Sequence, residues 1–133
     1  MTAPAPVDLS APGWRVQQGQ AVWKPTRRRP ELTGELLLAT NVNGNVFVQF
    51  AKPPITLATA RVIDGEWHLE FGSGEYSRNG TGRPPGRFAW FKLPAALAGA
   101  LPGRDWQFKR IPPNSWLLEN LHTGERLEGV FFP

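Results

Sequence analysis

The sequence predicts an all-β, mainly antiparallel domain: a curved half-barrel or incomplete barrel with one short helical segment. Three observations predict it. Apolar residues recur with a period of two through most of the 133 residues. The apolar runs are joined by short turn sequences rather than long crossovers. Only one segment, residues 87–100, departs from the alternation. An antiparallel sheet carries one apolar face, and so little helix cannot cover it. The sheet must therefore curl on itself or fold into a sandwich.

Residues 1–13 (MTAPAPVDLSAPG) are Pro/Ala-rich and read as a flexible tether, leaving 14–133 as a single antiparallel domain. A first strand is expected over 14–23, with Trp14 and Val16 in phase. Pro25 and Pro30 bracket Arg27, Arg28 and Arg29 and make that basic run a loop. Strands follow at 31–41 and 46–51. Between them lies Asn43-Gly44, a pair that accepts positive φ and favours a tight hairpin. Val46, Val48 and Phe50 line one face of the second strand. Pro53-Pro54 breaks the ladder, because neither proline donates to it.

Residues 55–63 are rich in β-branched side chains and read as a strand. Asp64-Gly65 turns the chain into EWHLEF, residues 66–71. Trp67, Leu69 and Phe71 fall on one side of that strand, and Glu66, His68 and Glu70 on the other. Residues 72–86 are loop-like, with a short strand at 75–78. Pro94 suits a first helical turn, so 94–100 are expected to form one or two turns, preceded by Phe88, Trp90 and Phe91. Strands at 105–111, 115–121 and 125–131 complete the chain. Leu127 and Phe131 share a face of the last one.

Composition removes several function classes. The absence of cysteine excludes a disulfide framework, a thiol nucleophile and cysteine-held zinc. His68 and His122 show no ligand spacing with carboxylates, so neither a metal nor another cofactor is expected. No apolar run reaches the length of a membrane span. The glycines of 72–86 match neither a dinucleotide nor a phosphate-loop pattern. His68 between Glu66 and Glu70 would suit a tuned base, yet the trio reads as a solvated strand face, and no enzyme is expected. A net charge of +4 and a pI near 10.1 favour anionic partners. A small basic barrel binding nucleic acid through Lys24, Arg27, Arg28, Arg29, Arg83, Arg87, Lys109 and Arg110 is one alternative; a structural domain with a closed core is another.

The inward candidates include Val48, Phe50, Leu57, Trp67, Leu69 and Phe71, then Trp106, Phe108, Trp116, Leu118 and Leu127. Each buried aromatic removes roughly 150–250 Å² from water, an upper bound of about 4–6 kcal/mol. Such a face stays dry in two ways. Its own side chains fill a closed core, or an open concave sheet accepts an acyl chain or hydrophobic peptide.

The order of motifs resembles the LolA/LolB-type periplasmic lipoprotein carriers and receptors. Gly34-Glu35-Leu36, the apolar strand Val46–Phe50, the Asp64-Gly65 turn and the alternating Trp67–Phe71 follow one another as in that family. The resemblance implies a curved half-barrel with a hydrophobic cavity beneath a helical lid, and non-enzymatic binding of a lipid or acylated protein. It implies Val48, Phe50, Leu57, Trp67, Leu69 and Phe71 as cavity residues, and Phe88, Trp90 and Leu97 as the lid. Arg27, Arg28 and Arg29 would contact anionic head groups at a membrane surface. A periplasmic or outer-membrane location would follow, with an export signal or lipidated cysteine that this sequence does not carry.

Overall fold

The computed structural model describes residues 6–72 and 74–133. It forms one open antiparallel sheet of nine strands with one short helix among those residues. The strands are β1 (Trp14–Lys24), β2 (Leu32–Asn41), β3 (Val46–Lys52), β4 (Ile55–Ile63), β5 (Glu66–Phe71), β6 (Tyr76–Thr81), β7 (Trp106–Ile111), β8 (Ser115–Asn120) and β9 (Arg126–Phe131). The helix α1 (Ala89–Leu97) separates β6 from β7. The order across the sheet is β6-β5-β4-β3-β2-β1-β9-β8-β7. Two meanders thus meet where β9 pairs with β1, for example Ala21 opposite Gly129.

The turns are those their residues demand. Gly44 (φ 86°) ends the β2–β3 turn, and Asp64 and Gly65 (φ 51° and 80°) both take the left-handed backbone that a tight Asp-Gly hairpin requires. Close strand contact imposes glycine elsewhere. A Cβ on Gly19 would lie 2.0 Å from the Val130 carbonyl oxygen, so β1 and β9 could not approach as they do with any other residue there.

The sheet curls strongly. Trp23 of β1 stacks on Phe71 of β5 with ring centroids 5.7 Å apart and planes 11° from parallel. Three strands lie between them, so a flat sheet would separate these strands by roughly 19 Å. Curling brings inward rows together: Leu36, Phe50 and Ala58 across β2–β4, and Trp23, Leu127 and Leu118 across β1, β9 and β8. These belong to one buried apolar cluster. The expected half-barrel with one helical segment is therefore the observed architecture.

Three local expectations change. The short strand expected at 75–78 is β6, Tyr76–Thr81, which pairs with β5 along its whole length. Helix α1 begins at Ala89, which puts Pro94 inside the helix instead of in its first turn. Trp90, Leu93, Pro94 and Leu97 follow the i, i+3, i+4, i+7 spacing of one helical face. Burying Trp90 and Leu93 against the sheet offsets the amide hydrogen bond that proline cannot make. Trp14 and Val16 are in phase, but they alternate with Gly19, Ala21 and Trp23 and lie on the convex side, where Val16 is exposed.

Of the expected tether, residues 1–5 lie outside the described residues. Within 6–13, Asp8 organises a turn: its carboxylate accepts the Ser10 amide at 3.0 Å and the Ser10 hydroxyl at 2.6 Å. Among the described residues no helix is long and apolar enough to cross a membrane.

Candidate ligand-binding face

The concave face is assembled from alternate residues of every strand, and α1 lies across it. Trp90 is the keystone. Its ring lies 5.3 Å from Phe50 at 30° and 5.2 Å from Trp23 at 70°. Phe91, one residue on, meets Trp67 edge-on at 5.9 Å. Phe88 in turn lies edge-on to Phe91 and carries the Arg87 guanidinium 4.7 Å above its ring. No side chain caps the helix N-terminus, and no acidic residue occupies its first turn. What seats α1 is the aromatic contact, reinforced at its far end where the Arg110 guanidinium donates to the Leu97 carbonyl.

The nine residues expected to form cavity and lid all reach this face. Val48, Phe50, Leu69 and Trp90 are fully buried, at 1% exposure or less. Phe71, Phe88 and Leu97 are half-buried and pack against the same cluster. Leu57 reaches it through a β-bulge: Phe50 pairs with Ala58 and Ala51 with Thr56, leaving Leu57 as the extra residue. Trp67 lies over the edge strand, where its ring would meet any Cβ on Gly80 at 2.7 Å. The side chains thus fill the middle of the concave face, and α1 is inserted into it.

Two polar atoms in this apolar face have no partner. The indole nitrogens of Trp90 and Trp116 are buried and meet no acceptor among the described residues. Each such donor costs about 1–3 kcal/mol relative to a satisfied one. The indole of Trp23 contrasts with them, donating to Glu125 at 2.9 Å. Burial is the main force on that carboxyl and raises it from an ordinary 4.5 to about 7; the indole bond acts in the opposite sense. Asn120 holds the turn that presents Glu125. Its carboxamide oxygen accepts the amides of His122 and Thr123 at 2.9 and 3.0 Å.

The concave face opens at the C-terminal end of α1. A cleft of about 250 Å³ lies there between Leu97, Trp116 and Phe131, with Arg15 and Arg110 among its lining. Arg110 pairs across the ladder with Trp116, and Arg15 lies two residues from Gln17, which pairs with the buried Leu38. Both arginines therefore belong to inward rows. Arg110 continues the inward alternation of Trp106 and Phe108, a signal present in the sequence. Arg15 had no such signal, because glycine and alanine hold the inward phase of β1 up to Trp23.

Arg27, Arg28 and Arg29 do not converge on this cleft. They occupy the β1–β2 connection, beyond the opposite end of β1, roughly 30 Å from Arg15 along the strand. Arg27 clips that loop to the β8–β9 turn, its amide donating to Thr123 and its guanidinium to Leu121. His68 is not on a solvated face as expected. It is 8% exposed, with Nε2 3.4 Å from the Glu70 carboxylate. Its cross-strand neighbours on the convex side are Arg61 and Asn79.

No protein-family model, curated protein or solved structure matches this chain.

Proposed function

We propose that this protein is a non-enzymatic binder of a lipid or of an acylated partner, with the concave face as its binding surface and α1 as the lid. The reading extends to a role in the bacterial cell envelope, in the manner of the LolA/LolB-type carriers it resembles. One observation carries it: two buried indole donors that meet no acceptor among the described residues lie in an aromatic face closed by the nine-residue helix α1. An acyl ester or amide brings both the apolar chain that such a face takes and the carbonyl acceptors that its indoles lack.

The preference over nucleic acid rests on where the aromatics lie. Trp23, Phe50, Trp90 and Trp116 are interior, and stacking on bases needs them at the surface.

Native mass spectrometry of freshly purified protein, beside an organic extract of the same sample, tests the reading. A co-purified lipid adduct, or one formed with monopalmitin or a lysophospholipid, supports it. A bare mass with every member of that panel ends it, and leaves a closed structural domain. Binding of oligonucleotides that weakens steeply with salt would favour the nucleic-acid alternative instead.

A further inference from the structure

We infer that the cleft at the C-terminal end of α1 is the head-group site of the bound amphiphile, and that it selects an oxyanion. The inference rests on the binding reading above and specifies its ligand.

Three observations carry it. First, Arg15 and Arg110 bring two guanidiniums to one cleft whose lining includes no carboxylate. Neither arginine is paired with a carboxylate among the described residues. Their charge is uncompensated where it faces the cleft. Second, Arg110 is anchored at the cleft by its bond to the Leu97 carbonyl. A guanidinium has five N–H donors, so donors remain for a ligand in a fixed, fork-shaped array. Third, Leu97, Trp116 and Phe131 give the cleft apolar surface beside the polar Gln17, Asn114 and Ser115, and the buried Trp116 indole nitrogen has no acceptor among the described residues. Two cationic side chains, apolar surface and a buried unpaired donor on one lining residue match an amphiphile with a charged phosphate or carboxylate head and an acyl tail directed under α1.

The cleft, at about 250 Å³, is below the size of ordinary small-molecule pockets. It holds a head group; the tail must enter where α1 now packs. Leu97 is shared by cleft and helix, so a ligand seated on the arginines sits at the point where the lid is tied down.

Isothermal titration of the intact protein tests this. The probes are 1-palmitoyl lysophosphatidic acid, palmitate, uncharged monopalmitin and inorganic phosphate, each below its aggregation threshold. The variants are R15Q/R110Q and a charge-matched control, R28Q/R29Q. The expected result is that an anionic amphiphile binds at least about tenfold more weakly to R15Q/R110Q, because charge-assisted hydrogen bonds are lost. Monopalmitin should bind both variants and the parent alike, which also shows that the face remains intact without the Arg110–Leu97 bond. R28Q/R29Q should keep the parent affinity. The two anionic amphiphiles distinguish a phosphate from a carboxylate head.

Equal binding of charged and uncharged amphiphiles in all variants would overturn the head-group site while leaving the carrier reading standing. A loss confined to R28Q/R29Q would overturn it too, and return the head group to the β1–β2 loop. Binding of inorganic phosphate with no amphiphile would mean a small-anion site, and no binding of any probe would remove both readings.

Discussion

Glu125 accepts a hydrogen bond from the Trp23 indole at 2.9 Å, across 102 positions of the chain. The pair ties the β8–β9 turn to the aromatic that stacks on Phe71 and abuts Trp90. The acid is mostly buried and its pKa is raised from 4.5 to about 7, so folding favours its protonated form. Its stabilising contribution is complete below about pH 4.5 and is lost as pH rises through about 7. The difference is about 3 kcal/mol. Glu125→Gln keeps an acceptor and removes the titration. The variant should melt above the parent at pH 8 and close to it at pH 4.5. Thermal unfolding at both pH values decides this; an unchanged gap would show that Glu125 does not couple to folding.

Trp90→Ala should be the most damaging single change on the helix. Trp90 is 1% exposed and contacts both Phe50 and Trp23. Its removal should cost about 3–5 kcal/mol, through lost burial and the cavity left behind. Denaturant titration measures it, and a loss under about 1 kcal/mol would mean that the face collapses freely around the gap.

Trp67→Ala should cost less, about 1–2 kcal/mol, because this ring is half-buried and covers an edge strand. It should also free β6, which Trp67 covers at Gly80. Hydrogen exchange of the Tyr76–Thr81 amides should rise in this variant and not in Trp90→Phe. Uniform protection in both would refute the edge-cover role.

The two kinds of glycine should respond differently to alanine. Gly19→Ala places a Cβ against the backbone of β9, with Val130 oxygen at 2.0 Å, so β1 and β9 must separate. A loss of more than about 2 kcal/mol is expected. Gly44 has a positive φ of 86° and open space around it. Alanine there meets only backbone strain, about 1 kcal/mol. Reversal of this order by chemical denaturation would place the β1–β9 contact outside the stable core.

Much of the molecule was legible in its residues. Alternation in Val46–Phe50 and Trp67–Phe71, and the Asn-Gly and Asp-Gly turns, locate strands and hairpins because these are local preferences of backbone and side chain. Local signals start the helix too late, since Pro94 argues against a helix interior on local grounds. Only the sheet beneath Trp90 and Leu93 makes that position tolerable. Leu57 shows the same limit: strict alternation and a bulge predict different faces, and the pairing with β3 chooses.

By itself, the sequence determined the all-β antiparallel class, nearly every strand and the aromatic inner face, all properties of neighbours in the chain. Only the tertiary structure decided that β9 closes on β1, and that Trp23 meets Phe71 and Glu125. It alone decided that Arg15 and Arg110, from the first and seventh strands, share one cleft. Those are long-range relationships set by the curl of the sheet and the path of α1 across it. No local period encodes them, because they depend on which surfaces must be buried together.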